Sequence, residues 1–276
     1  MNSRLVKMIV LAIKQFRDPY YQGFAAQMSF YFMLSLVPTI IVLSQLLGVL
    51  DISLDFLNEW IGKYVAPGMA DTLKSLLANH SMTTSNIVLI AMALWAASRV
   101  QFSMMRITNY TYTGGRTTGT FWRERIRSLK TMMLTLFTVA FVAIILVYGK
   151  LILTLIFGKI IEGSVIADVW TFLRWPLAGV LYFLMISYNY YVLPIERLKF
   201  KEVLPGSLLC AVGMLVVTIA YSYYANYIVN YNIIYGSLAS IVALLFWFYF
   251  LSWAMCIGVM FNKVWKDTKT GGEIID

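Results

Sequence analysis

The chain is short of charge, of histidine and of cysteine, and each shortage removes a class of protein. Only 13% of its 276 residues are charged, while 60% are hydrophobic. A soluble domain carries about 25% charged residues, and a water-soluble protein of this size has too much surface to cover with so few. The two cysteines, Cys210 and Cys256, both sit inside apolar runs. They make neither a disulfide scaffold nor a CxxC metal site, and read as small buried hydrophobes. The single histidine is His80, so there is no HExxH and no Cys/His pair. All 13 acidic residues fall outside the apolar runs. The membrane Asp, Glu or His that proton-coupled transporters use as a relay is therefore missing. No cytoplasmic stretch gathers His, Asp and Glu at metal-ligand spacing, and there is no GxSxG. Neither metal nor cofactor is expected, although a sodium ion held by carbonyl oxygens needs no ionisable side chain. A multi-span membrane protein is the broad class that remains.

What is present is long uncharged sequence. A bilayer core takes about 20 apolar helical residues. Pro19 to Leu50 is 32 residues without a charge, Trp175 to Ile195 is 21, and Val203 to Asn262 is 60. Sixty is too long for one helix and right for two, with Asn230-Tyr231-Asn232 as the break. Two further runs each contain one charge, Arg99 in the second span and Lys150 in the third. The chain therefore reads as an all-α, single polytopic membrane domain over 1–276, with six spans at about 24–50, 86–105, 131–157, 175–195, 203–229 and 233–262.

The net charge of +9 would suggest nucleic acid, but its placement says otherwise. With six spans, both termini and the loops after spans 2 and 4 share one side. That side holds 16 Lys and Arg, and the other side holds four. Cytoplasmic loops carry such an excess, so both termini are expected in the cytoplasm and no nucleic-acid partner is expected. Residues 3–17 read as an amphipathic helix on the inner membrane surface, with Leu5, Ile9, Ala12, Ile13 and Phe16 on one face. Phe121 to Lys130 reads as a second, through Trp122, Ile126 and Leu129. Thr113 to Thr120 between them is a Gly-Thr turn. Its Gly114-Gly115-Arg116 lacks the Lys-Ser/Thr ending of a phosphate loop. The outer loop Asp51–Ser85 carries an acidic stripe, Asp51, Asp55 and Glu59, that reads as a solvated face ahead of a cation site.

Arg99 is the residue that needs an explanation. It lies 13 residues into an inward-running span, roughly 20 Å deep and about 10 Å short of the inner edge of the core. No carboxylate shares its depth. Backbone carbonyls, water, an anionic ligand or snorkelling to the inner headgroups are the partners open to it. Arg106 follows seven residues on along the same face, with Ser103 and Asn109 near that stripe. These four, with the intramembrane amides Gln27 and Asn189, are the candidate substrate-binding residues; helix-to-helix hydrogen bonds are the commoner role for such amides. Pro38 permits a kink in the first span. Gly236 and Ser240, beside the Ala239/Ala243 pair, have small-xxx-small spacing suited to helix packing. Lys150 reaches the outer interface and reads as snorkelling.

Several motifs resemble the YihY/BrkB family of bacterial inner-membrane proteins. They are Ser29 to Pro38 (SFYFMLSLVP), Tyr190 to Pro194 (YYVLP) followed by Pro205-Gly206, and Tyr235 to Ala239 (YGSLA) through Trp247 to Gly258 and Asn262. Gln27-Met28-Ser29 departs from the small residues and tyrosine usual there. The resemblance implies six transmembrane helices. It also brings an old label, ribonuclease BN, and associations with virulence, serum resistance and movement of lipid A precursors. Three functions follow: a transporter or flippase for an anionic, possibly lipidic, substrate that meets anionic headgroups of membrane lipids at the cytoplasmic face; a membrane-bound tRNA-processing ribonuclease; or a non-transporting scaffold for envelope assembly. A homo-oligomer is left open.

Overall fold

A computed structural model describes residues 2–49, 84–115, 120–157, 163–227 and 237–269. Every regular element among them is an α-helix: α1 Asn2–Phe16, α2 Pro19–Val49, α3 Thr84–Thr113, α4 Phe121–Phe157, α5 Gly163–Val192, α6 Phe200–Tyr227 and α7 Ser237–Lys269. Among the described residues three stretches, Val165–Val192, Phe200–Tyr224 and Ile241–Lys269, are long and apolar enough to cross a membrane. The described parts of the expected spans fall in α2 to α7, except residues 193–195, which follow α5, while residues 50, 228–229 and 233–236 lie outside the described residues; two boundaries also differ. The amphipathic segment Phe121–Lys130 is not separate but is the first part of the 37-residue α4, because no Pro or Gly stands between Phe121 and Tyr148 to end the helix. The fourth span is the end of a helix that begins at Gly163 and holds both Arg174 and Pro176. The Asn230–Asn232 break, Gly236, His80 and the acidic stripe of the outer loop lie outside the described residues. Pro38 and Ser240 fall within α2 and α7.

Each helix from α2 to α6 packs on the next, and α7 returns to α2 and also carries α1. The main core joins the beginnings of α2 (Tyr21, Ala25, Met28) and α6 (Val203, Cys210) to the ends of α3 (Met104, Met105, Ile107), α5 (Ile186, Tyr190) and α7 (Cys256, Val259, Met260). Beginnings and ends meet only if successive helices alternate in direction. Elsewhere large apolar side chains stay uncovered: Leu155 is 76% exposed, Phe172 81% and Ile219 69%. Patches of this kind are found against lipid or a partner rather than water.

Glycine sets the tightest contact in the core. A Cβ on Gly206 of α6 would stand 2.0 Å from the Gly258 carbonyl oxygen of α7, and one on Gly258 would stand 2.5 Å from the Tyr190 hydroxyl. The two backbones approach this closely only because neither residue has a side chain. Asn262 reinforces the crossing, its Oδ1 accepting from the Gly206 N–H at 2.6 Å. Tyr190 adds α5 by donating to the Met255 carbonyl at 2.7 Å.

The connection from α5 to α6 is held from three sides. Asn109 Oδ1 of α3 accepts from the Ile195 N–H at 2.8 Å, and Arg127 of α4 donates to the Pro194 carbonyl at 3.0 Å. Lys266 of α7 pairs with Glu196. Glu202 caps α6 by accepting from the Lys199 N–H at 3.1 Å, half of a capping box. At the α1–α2 elbow, Asp18 accepts from the Tyr20 N–H at 3.0 Å and the Tyr110 hydroxyl at 2.6 Å. Gly114 and Gly115 turn the chain after α3 with φ of 61° and 77°, values that cost glycine little. α1 lies along α7, with Phe16 against Trp253 and Arg4 over Trp265. Its Ile9, Val10 and Ile13 remain exposed, as on a helix lying in a membrane interface.

Candidate functional site

Arg99 projects from the middle of α3. Trp95, one turn earlier on the same face, stacks on it with its ring centre 4.6 Å from the guanidinium carbon. Tyr31 of α2 contributes a second ring at 5.8 Å. The aromatic faces satisfy the charge in part, but they do not accept hydrogen bonds in the guanidinium plane. The Nε of Arg99 is buried and has no hydrogen-bond partner. Two ion pairs, Lys263 with Asp267 and Lys266 with Glu196, lie elsewhere. A second guanidinium stands nearby instead. Burial, and then repulsion from Arg99, lower the pKa of Arg125 on α4 below the usual arginine value.

Ser103, one turn after Arg99, is 1% exposed, and its hydroxyl has no partner. That is unusual in this bundle. Ser98, Ser128, Ser187, Ser207 and Ser252 all donate to a carbonyl three or four residues back. Arg99 and Ser103 therefore form a short column of unused polar groups along α3.

A second polar cluster joins α3, α4 and α5. Gln101 Nε2 donates to Thr135 Oγ1 at 3.1 Å and Asn189 Nδ2 to the same atom at 3.3 Å, while Thr135 donates to the Thr131 carbonyl at 2.8 Å. Asn189 Nδ2 also donates to the Met185 carbonyl at 2.8 Å. Thr135 thereby uses its proton and both lone pairs. The amide oxygens of Gln101 and Asn189 are buried and unpartnered, so they could accept from a water, a hydroxyl or an ammonium.

The six candidate residues are thus divided. Arg99 and Ser103 stand together, and Asn189 is in the second cluster. Gln27 is half-buried on α2, one turn before Tyr31. Asn109 is buried and holds the α5–α6 connection. Arg106 is exposed. Tyr31, Trp95, Gln101, Arg125 and Thr135 were not legible as site residues. Trp95 had a signal, an aromatic four residues before a membrane arginine; the others depend on which helices become neighbours. Among the described residues no three His, Cys, Asp or Glu side chains come together.

Of the residues that carry the family resemblance, Tyr190, Gly206, Gly258 and Asn262 meet at the crossing of α5, α6 and α7. A putative ribonuclease-like protein, YfkH of Bacillus subtilis (strain 168), is 26% identical over 252 residues, which is 90% of this chain and 91% of that protein. A UPF0761 membrane protein of Xanthomonas campestris pv. campestris (strain B100) is 26% identical over 196 residues, 71% of this chain but only 39% of that longer protein. No solved structure matches the chain. The profile of the family described as Virulence factor BrkB matches residues 12–273, and the chain belongs to that family of membrane proteins.

Proposed function

We propose that the chain is a six-span transporter or flippase of the bacterial plasma (inner) membrane, with both termini cytoplasmic and an anionic, lipid-like substrate. Arg99 carries the reading. A guanidinium in the hydrocarbon layer costs roughly 2.5–3.5 kcal/mol on insertion scales. Among the described residues it has no carboxylate partner, its buried Nε is bare, and a second guanidinium, Arg125, feels its charge. Two neighbouring cations favour an anion between or beside them. A phosphate or carboxylate accepts two parallel N–H bonds from arginine in the guanidinium plane, the plane that the aromatic faces leave open. Ser103 would offer a further donor one turn below.

The test is translocation of fluorescent phosphatidylglycerol in proteoliposomes. Arg99→Lys keeps the charge but loses the two-pronged geometry and should slow translocation. Arg99→Leu should abolish it, with the protein still inserted and monodisperse. Full activity in Arg99→Leu would mean that Arg99 only snorkels to the headgroups.

A tRNA-processing ribonuclease is the second reading, favoured by the ribonuclease-like name of the Bacillus subtilis relative. Hydrolysis of RNA needs a metal-bound water or an acid–base pair, and among the described residues no three His, Cys, Asp or Glu side chains gather to hold a metal. Purified protein should leave tRNA intact with magnesium, manganese or zinc. Cleavage that is lost in Glu124→Gln would establish the nuclease instead.

A further inference from the structure

The outer face of α4 and α5 carries an open groove of about 680 Å³ that the Arg99 site does not use. Leu134, Phe137, Phe141 and Ile144 of α4 form one wall and Leu184 of α5 the other, with Phe200 of α6 at one end. The walls offer almost nothing polar. Thr138 turns its hydroxyl back onto the Leu134 carbonyl at 2.8 Å, which leaves the Tyr188 hydroxyl as the other polar side-chain group of the lining.

Two features say what fills it. The first is length. Leu134 to Ile144 is eleven residues of helix, a rise of about 15 Å, which is half of a ~30 Å hydrocarbon core. The groove therefore spans one leaflet. The second is charge at one end only. Lys130 stands one turn before Leu134 on the same line of α4, and Lys199 and Lys201 flank Phe200; all three are exposed. The carboxylates nearby are occupied, Glu202 on the Lys199 N–H and Glu196 on Lys266.

We propose that this groove binds an anionic glycerophospholipid of the leaflet facing the basic loops, with an acyl chain along Phe137, Phe141 and Leu184 and the phosphate among Lys130, Lys199 and Lys201. The proposal rests on the membrane reading above but not on Arg99. Lysines at a membrane surface attract anionic headgroups by charge, whereas the apolar walls treat all tails alike. Selectivity for the anion must then come from the mouth.

The full chain is placed in nanodiscs with trace phosphatidylglycerol or phosphatidylcholine, each carrying a diazirine at mid-chain. Crosslinked peptides are mapped by mass spectrometry. Phosphatidylglycerol should label 134–144 and 181–188 at least about fivefold more than phosphatidylcholine, the effect of about one lysine near a charged surface. Combining Lys130→Gln, Lys199→Gln and Lys201→Gln should erase the difference, and Leu184→Trp should reduce labelling by both lipids. Arg99→Leu should leave labelling unchanged, so a failed transport reading would not remove this result. Equal labelling by the two lipids, a triple variant that keeps the preference, or a protein–protein crosslink at Phe137 and Leu184 would overturn the proposal, the last by showing a second copy in the groove.

Discussion

At the scale of single residues, the contrast between Gly206 and Arg99 separates structure from function. Gly206 has no room for a methyl group, since its Cβ would meet a backbone oxygen at 2.0 Å and Asn262 at 2.5 Å. Gly206→Ala forces α6 and α7 apart, and overpacking of this kind costs about 1–3 kcal/mol. A fall in the detergent-solubilised melting temperature, read by fluorescence-detected size exclusion, is the expected outcome. Asn262→Leu removes the acceptor of the Gly206 N–H and should destabilise by about 1–3 kcal/mol for the buried donor left bare. Arg99 is the opposite case. Its bare Nε is already an unmet cost, so Arg99→Leu should melt no lower than the parent protein while losing anion handling. A melting temperature several degrees lower would show that Arg99 is structural.

Among the elements, α4 ties α3 to α5 and reaches the α5–α6 connection. Its neighbours on α3 show how it is placed. Phe121 meets Phe102, with ring centres 6.4 Å apart, and Thr135 bonds Gln101 at 3.1 Å. Adjacent α3 residues thus touch parts of α4 that lie 14 positions apart, about 21 Å along a helix. α4 therefore crosses α3 at an angle, which brings Arg125 towards Arg99 and Arg127 to the α5–α6 connection. Arg127→Ala should leave the Pro194 carbonyl without its donor and loosen that connection. Hydrogen exchange at residues 193–199 should accelerate, with a loss of about 1–3 kcal/mol. Arg123, exposed two turns before Lys130, is the control, and Arg123→Ala should change neither.

For the whole molecule, sidedness is the property that the charge split makes testable. Sixteen cationic residues against four predicts both termini inside the cell. In intact cells an impermeant thiol reagent should modify a cysteine at position 81 and leave one at position 118 untouched. The reverse pattern would invert the topology, and with it the leaflet assigned to the groove. Alternation of helix direction is consistent with the six-span reading, since the beginnings of α2 and α6 share a core with the ends of α3, α5 and α7.

The sequence by itself determined that this is a helical membrane protein, roughly where its helices lie, and that Arg99 requires a partner. These follow from local quantities: the length of an uncharged run, the cost of a charge in hydrocarbon, and the count of lysine and arginine on either side. Boundaries were less legible where composition changes without a break. Phe121–Lys130 is basic and amphipathic while the residues after it are apolar, yet one helix runs through both. The tertiary structure alone decided which side chains share a site. Arg106 lies on the same face of the same helix as Arg99 but is exposed, whereas Arg125, from the next helix, is the cation whose charge Arg99 disturbs. Asn109 on α3 and Asn189 on α5 are the same chemistry, yet one caps a connection and the other leaves an oxygen bare. Periodicity tells which way a residue faces on its own helix; what it faces depends on how the helices cross, and that angle is set by contacts such as Gly206 on Gly258 between residues 52 positions apart.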